Sequence, residues 1–220
     1  MTTIFFIRHG QTEWNKTLRY QGHSDIELTA EGLQQAELVA NRLAKEPFSA
    51  IYSSDLVRAR VTADTIAKKH GLPVTVTPDF REVMFGAWEG LRYNQIYDGW
   101  PTAMDDFFQK PGQVKIPDGE TFHAVKQRTD KALAEIRSKH DGQCVAVVTH
   151  GGAIRTMLCS ALGISLDLLW CFRQDNTAVN IVEYEEKYNI LRLINDANHL
   201  YDFSSLDPAR LPSYNINKRF

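Results

Sequence analysis

Thr3-Ile4-Phe5-Phe6-Ile7 runs directly into Arg8-His9-Gly10. Five β-favouring residues without polar alternation describe a strand buried on both faces, of the kind found in the middle of a parallel sheet. A second such run, Cys144-Val145-Ala146-Val147-Val148-Thr149, ends in the same way, in His150-Gly151-Gly152. Ligands of open α/β sheets gather beyond the carboxyl ends of the strands. Two central strands that each release a histidine and a glycine there fix both the fold class and the place where chemistry collects.

Outward from these strands the chain alternates. Thr29 is placed to cap a helix carrying Leu33, Ala36, Ala40 and Leu43 on one face. Ala50–Ser53 reads as a strand, Leu56–His70 as a helix stopped by Gly71 and Pro73, and Pro73–Thr77 as a third short strand. Residues 83–119 break the rhythm, with Phe85, Trp88, Tyr93, Tyr97, Trp100, Phe107 and Phe108 scattered among glycines and prolines. They read as a small helical lid insertion whose rings either form its own core or line a place for an apolar leaving group. A helix from Glu120 to about His140 turns Val125, Thr129, Leu133 and Ile136 inward, and another runs from near Gly152 to Leu162. Ala178–Glu183 and Ile190–Ile194 close the sheet around a turn at Lys187–Asn189. The alternation predicts a three-layer α/β/α sandwich with a mostly parallel sheet, a single domain over 1–203 and a C-terminal tail over 204–220.

Composition removes several function classes. The chain has 25 basic and 27 acidic residues, a net charge of −2, and no basic block. It therefore lacks the electrostatic footprint of a nucleic-acid or anionic-membrane binder. With 43% hydrophobic and 24% charged residues it can bury a core, unlike a disordered chain. Apolar runs such as Ile4–Ile7 fall far short of the ~20 residues that span a bilayer. Arg8 and His9 interrupt the first apolar stretch, so no leader peptide is read there. Cys144, Cys159 and Cys171 are too scattered for a disulfide framework or a zinc site. The expectation is a cytoplasmic protein, with the choice between monomer and homodimer left open.

The chemistry lies in the two histidines and the arginines near them. Gly10, Gly151 and Gly152 are expected to admit a ligand to the backbone, and the helix after His150 turns its N–H groups toward the same place, which suits an anion. Arg8 and Arg58 offer the planar fork that binds phosphate oxygens in pairs. Asn15 can add an amide.

Arg8-His9-Gly10-Gln11-Thr12-Glu13-Trp14-Asn15 resembles the signature of the histidine phosphatase superfamily, which includes the cofactor-dependent phosphoglycerate mutases. Further blocks follow in order over about residues 3–195: Tyr20 to Asp25 with Leu28 to Gly32, Tyr52 to Ala59, Glu82 with Phe85 to Gly90, Pro117 to Glu120, and Thr149 to Gly152. The resemblance implies a phosphoglycerate mutase-like fold and makes His9 a nucleophile that becomes a phosphohistidine. It gives Arg8, Arg58 and His150 the phosphoryl oxygens, Glu82 the role of general acid and base, and Asn15, Gln21, Gly22 and Gly151 places in substrate binding. Apolar surroundings are expected for Glu82 from the aromatic segment that follows it. No metal or cofactor is implied, because arginines can supply the positive charge. The partner is a small-molecule phosphomonoester, with no nucleic acid and no membrane.

Within the family, a mutase carries a longer insertion with paired arginines for the substrate carboxylate. Residues 91–120 hold only Arg92, Lys110 and Lys115 against five acidic residues, without an Arg-Arg pair, so phosphatase is favoured over mutase. A phosphate-binding protein with a spent site is the third possibility, opposed by the presence of every residue type the chemistry needs. The layout is similar to small bacterial phosphatases of the α-ribazole-phosphate, phosphoserine and broad-specificity types. His23, His123 and His199 are further pocket candidates of lower weight.

Overall fold

The computed structural model describes residues 1–201; the expected tail over 204–220 lies outside the described residues. In chain order the elements are β1 (Thr2–Arg8), α1 (Glu13–Lys16), α2 (Ala30–Leu43), β2 (Phe48–Ser54), α3 (Val57–His70), β3 (Val74–Thr77), α4 (Tyr93–Gly99), α5 (Pro101–Gln109), α6 (Phe122–Lys139), β4 (Cys144–Thr149), α7 (Gly151–Leu162), β5 (Val179–Tyr184) and β6 (Asn189–Asp196). Among the described residues six strands form one sheet in the order β3-β2-β4-β1-β5-β6. The first four are parallel; β5 runs antiparallel to β1, and β6 antiparallel to β5. The mostly parallel α/β sandwich is thus what the alternation predicts.

β1 and β4 show why such strands lack polar alternation. Ile4, Phe6, Val145 and Val147 face one core with α6 and α7. Phe5, Ile7, Ala146 and Val148 face the other, with α2 and α3. Each fully buried Ile or Phe contributes about 1.5–3 kcal/mol. Thr29 and Thr121 accept hydrogen bonds from Gly32 N and Ala124 N and so cap α2 and α6. Gly71, at φ 64°, ends α3 in the left-handed conformation that glycine adopts without a Cβ clash. The start of α3 has no cap of its own; Asp25 Oδ1 accepts from Val57 N at 2.7 Å instead.

Some sequence expectations shift. Leu33 is exposed, because the buried stripe of α2 runs through Gly32, Ala36, Val39, Ala40 and Leu43. Gly32 faces inward because its Cα lies against the backbone of Gln11. The long helix starts at Phe122 with Thr121 as its cap, and the turn between β5 and β6 falls at 185–188. The rings of residues 83–119 do not form a separate core: Phe85, Trp88 and Phe107 join the core that holds Ile4, Phe6 and Phe122. Phe107 sits at its centre, with ring centroids 5.5 Å from Trp88 and 4.8 Å from Trp170. Phe85, Trp88 and Phe107 pack the body, while Tyr93 and Tyr97 stack on each other at the surface. Among the described residues no helix is long and apolar enough to cross a membrane.

Candidate active site

The register of the two central strands assembles the site. Arg8 pairs with Thr149, so the next residues, His9 and His150, leave the sheet side by side with ring centroids 5.1 Å apart. The His9 backbone is tied down on both sides. Its N–H donates to Thr149 O at 3.0 Å, and its carbonyl accepts from Thr177 N at 3.2 Å and Asn176 Nδ2 at 3.1 Å. His9 Nδ1 lies 2.7 Å from Gly10 O, a pure acceptor, so Nδ1 carries the proton. Nε2 is left with a lone pair and makes no hydrogen bond among the described residues.

His150, the cap residue of α7, is held in the opposite tautomer. Its Nδ1 accepts from Arg58 Nε at 3.2 Å, so Nε2 carries the hydrogen and donates to Ser54 Oγ at 2.9 Å. Both of its ring nitrogens are engaged by protein, so it acts on the site first through Arg58. Arg58 is fully buried from the first turn of α3, whereas neighbouring Arg60 points to solvent. Its Nη1 and Nη2 donate to Ser24 O at 2.7 Å and Gly22 O at 2.8 Å. Three of five donors are used, which leaves two N–H groups for a ligand. Arg8 donates through Nη1 to Gln174 O at 2.6 Å, while its buried Nε has no partner among the described residues. An orphaned buried donor of this kind is costly unless an anion meets it.

Glu82 completes the group, in surroundings that differ from the expectation. Its carboxylate lies on the N-terminus of α7, accepting from Gly152 N and Ala153 N at 3.0 Å and from Val83 N at 2.9 Å. The aromatic segment after it turns away into the core. Gly152 is required by this contact, since a Cβ there would come within 2.6 Å of Glu82 Oε1. Gly10 also has a purpose other than the expected ligand approach: a Cβ would meet Gly32 O at 2.4 Å, so it lets two backbone segments touch.

The remaining candidates separate. Asn15 Oδ1 accepts from Thr12 N and Asn176 Nδ2, and its Nδ2 donates to no described residue. Gln21 is buried, accepting from Thr12 Oγ1 at 2.9 Å, and Gly22 serves through its carbonyl on Arg58. Gly151 lies against Arg8 Nε and a residue the sequence reading missed: Arg155 Nη1 would be 3.1 Å from a Cβ at Gly151. The i, i+4 spacing of Gly151 and Arg155 on one helix was the available signal. Arg155 is anchored through Nε to Phe172 O at 2.7 Å and lies over the Trp170 ring. His23 donates from Nε2 to Glu82 O at 2.9 Å, behind the carboxylate. His123 is exposed on α6. His199 sits between Arg42 Nη1 and Thr177 Oγ1, beneath the site rather than in it. It supports Thr177, whose φ of 53° is unusual for a β-branched residue.

Electrostatics favour neutral imidazoles. Burial holds His9 and His150 well below the ordinary histidine value, and the Arg58 charge adds to this in both cases. Burial also lowers Arg58 to about 10, against the raising effect of Glu82, and it stays charged at neutrality. In the window below about pH 6.5 the unfolded chain binds protons that the two folded imidazoles refuse. Their contribution to stability is therefore complete above that pH and is lost as pH falls through the window. The melting temperature is expected to fall more between about pH 7 and about pH 5 in the wild type than in a His9→Gln/His150→Gln variant. Equal slopes in a thermal melt series would assign the effect to other groups.

A neutral histidine with a free nitrogen, facing guanidinium donors at the carboxyl edge of a parallel sheet, defines an α/β phosphoryl-transfer enzyme of the histidine type. The sequence pattern of the histidine phosphatase superfamily (branch 1) matches residues 4–197. Phosphoserine phosphatase 1 of Hydrogenobacter thermophilus is 34% identical over 203 residues, 92% of this chain and 96% of that one. Phosphoglycerate mutase-like protein 4 of Arabidopsis thaliana is 44% identical over 157 residues, 70% of this chain and 68% of that one. The crystal structure of a mutant phosphoserine phosphatase from Entamoeba histolytica, in complex with phosphoserine, superposes with a TM-score of 0.83 at 29% identity, covering 91% of this chain and 100% of that one. The chain belongs to the histidine phosphatase superfamily, branch 1, and is a phosphatase of that family.

Proposed function

We propose that the protein hydrolyses a small, charged phosphomonoester, with phosphoserine as the representative substrate, through a phosphohistidine on His9 and without a metal. The observation that carries the reading is the free lone pair of His9 Nε2 beside the unspent donors of Arg8 and Arg58. In the first step, with Glu82 in its protonated form, Nε2 attacks phosphorus, the P–O ester bond breaks, and the leaving oxygen takes the Glu82 proton, leaving a carboxylate. In the second, water attacks the phosphohistidine, Glu82 takes the water proton, and the P–N bond breaks to release phosphate. Arg8 and Arg58 hold the phosphoryl oxygens and meet the charge that spreads over them in the transition state. Asn15, whose Nδ2 donates to no described residue, and the Gly151 N–H would add donors.

Two features support a charged leaving group. Phe85, Trp88 and Phe107 are spent on packing the core, and Arg155 brings a third guanidinium beside Arg8 with its Nη groups donating to no described residue. The curated relative named above as a phosphoserine phosphatase points the same way. The mutase reading rests on the likeness to the mutase-like relative and is opposed by the absence of an arginine pair in 91–120.

Phosphate release from phosphoserine, 3-phosphoglycerate and p-nitrophenyl phosphate in the presence of EDTA, beside a mutase assay primed with 2,3-bisphosphoglycerate, tests the proposal. Release with the chelator present, led by phosphoserine in kcat/KM and reduced at least ~10-fold by Arg155→Met for that substrate, is the expected outcome. Isomerisation of 3-phosphoglycerate faster than its hydrolysis would replace hydrolase by mutase.

A further inference from the structure

The segment that carries Glu82 has little regular structure of its own. After a 3₁₀ turn at Pro78–Phe80 the chain runs extended, and its carbonyls need donors from elsewhere. Three of them converge on one side chain in the middle of α6. Arg128 Nη1 donates to Asp79 O at 2.7 Å and Arg81 O at 2.8 Å, and Nη2 donates to Glu82 O at 2.8 Å. Its other two N–H groups go to Glu120, Nε to Oε1 at 3.0 Å and Nη2 to Oε2 at 2.9 Å. All five guanidinium donors are spent, and none remains for a ligand.

From this geometry we infer that Arg128 is a positioning residue for the general acid: it fixes the Glu82 backbone so that the carboxylate meets the leaving oxygen. The inference rests on the reading of Glu82 as that acid. The carboxylate end is already fixed by the N-terminus of α7, and the backbone end is fixed by Arg128, with Thr149 Oγ1 on Phe80 O at 2.6 Å and His23 on Glu82 O. Glu120 orients the fork and also accepts from Met84 N at 3.1 Å. Burial pushes the Glu120 carboxyl up, and the hydrogen bonds and charge of Arg128 outweigh this, so it stays ionised at neutrality. A lysine has the charge but not the planar fork, and it cannot hold three carbonyls and a carboxylate together. Small displacements of a catalytic group are expensive: about 1 Å costs on the order of 10²-fold.

A positioning role has a signature that a purely structural one lacks. Phosphoserine expels an alkoxide that needs the proton, whereas p-nitrophenyl phosphate expels a stable phenolate. The ratio of kcat/KM for the two reports the acid step, because it covers events up to departure of the leaving group. Glu82→Gln is expected to lose ~10²- to 10⁴-fold on phosphoserine and far less on p-nitrophenyl phosphate. Arg128→Lys is expected to reproduce the pattern at ~10- to 10²-fold on phosphoserine, with KM within ~2-fold and p-nitrophenyl phosphate within ~3-fold of wild type. Glu120→Gln, which keeps the carbonyl bonds but weakens the orienting pair, gives the same pattern at smaller size and serves if Arg128→Lys does not fold. Equal losses on both substrates in Arg128→Lys and Glu120→Gln, or no loss in either, while Glu82→Gln shows the leaving-group pattern, would overturn the role of Arg128. Equal losses in Glu82→Gln would remove the acid reading itself, and the inference with it.

Discussion

His9→Ala is expected to abolish phosphate release, by on the order of 10⁴- to 10⁶-fold, while leaving the fold intact. Two observations make the effect large. Among the described residues Nε2 is the one unengaged nitrogen of the imidazole pair, since His150 gives Nδ1 to Arg58 and Nε2 to Ser54 and cannot substitute as nucleophile. The strand end is held by backbone groups, His9 N on Thr149 O and His9 O on Thr177 N, which alanine retains. Single-turnover quench of the wild type with labelled substrate is expected to trap a phosphoenzyme that is labile in acid and stable in alkali, absent from the variant. Release that persists in His9→Ala, or a wild-type phosphoenzyme of the opposite lability, would remove the phosphohistidine.

Arg58→Met is expected to cost on the order of 10³-fold in kcat/KM, and Arg58→Lys nearly as much. The guanidinium joins three parts of the site: it holds the carbonyls of Gly22 and Ser24 and fixes the His150 tautomer, and its two remaining N–H groups donate to no described residue. It also helps to keep His9 neutral, second to burial. Removing its charge lets His9 take a proton at higher pH, so the acid limb of the residual kcat/KM profile is expected to move upward in Arg58→Met. A variant with an unshifted acid limb and full activity would show that Arg58 serves the fold alone. The stability change combines opposite effects, because burying a cation is costly and orphaning two carbonyls is too.

Much of this arrangement was legible before any coordinates, for reasons that differ by residue. β1 and β4 are unmistakable because a strand covered on both faces cannot alternate, and their ends announce His9 and His150 without further information. Gly71 and Thr29 announce helix ends through local chemistry. Three features escape local reading. Leu33 has the spacing of a core residue, but the Gly10–Gly32 contact rotates the stripe of α2 away from it. Arg155 and Arg128 look like surface helix residues until the strands bring Gly151 and the 79–82 segment against them. The polar setting of Glu82 depends on α7, some seventy residues later, whereas the neighbouring aromatics suggest the opposite.

The strand order has a consequence for how the protein comes into being. Among the described strands β1 is made before the other five, yet both of its partners, β4 and β5, come from the last third of the described residues. Until β4 has emerged, at residue 149, the segment that ends in His9 has no neighbouring strand to join, and until residue 184 has emerged its other edge stays unpaired. A nascent chain stalled before β4 would therefore carry Arg8, His9, Arg58 and Glu82 with no paired β1 to assemble them. Such a chain would leave the apolar residues of β1 uncovered, and the paired histidines would come together only when β4 joins the sheet.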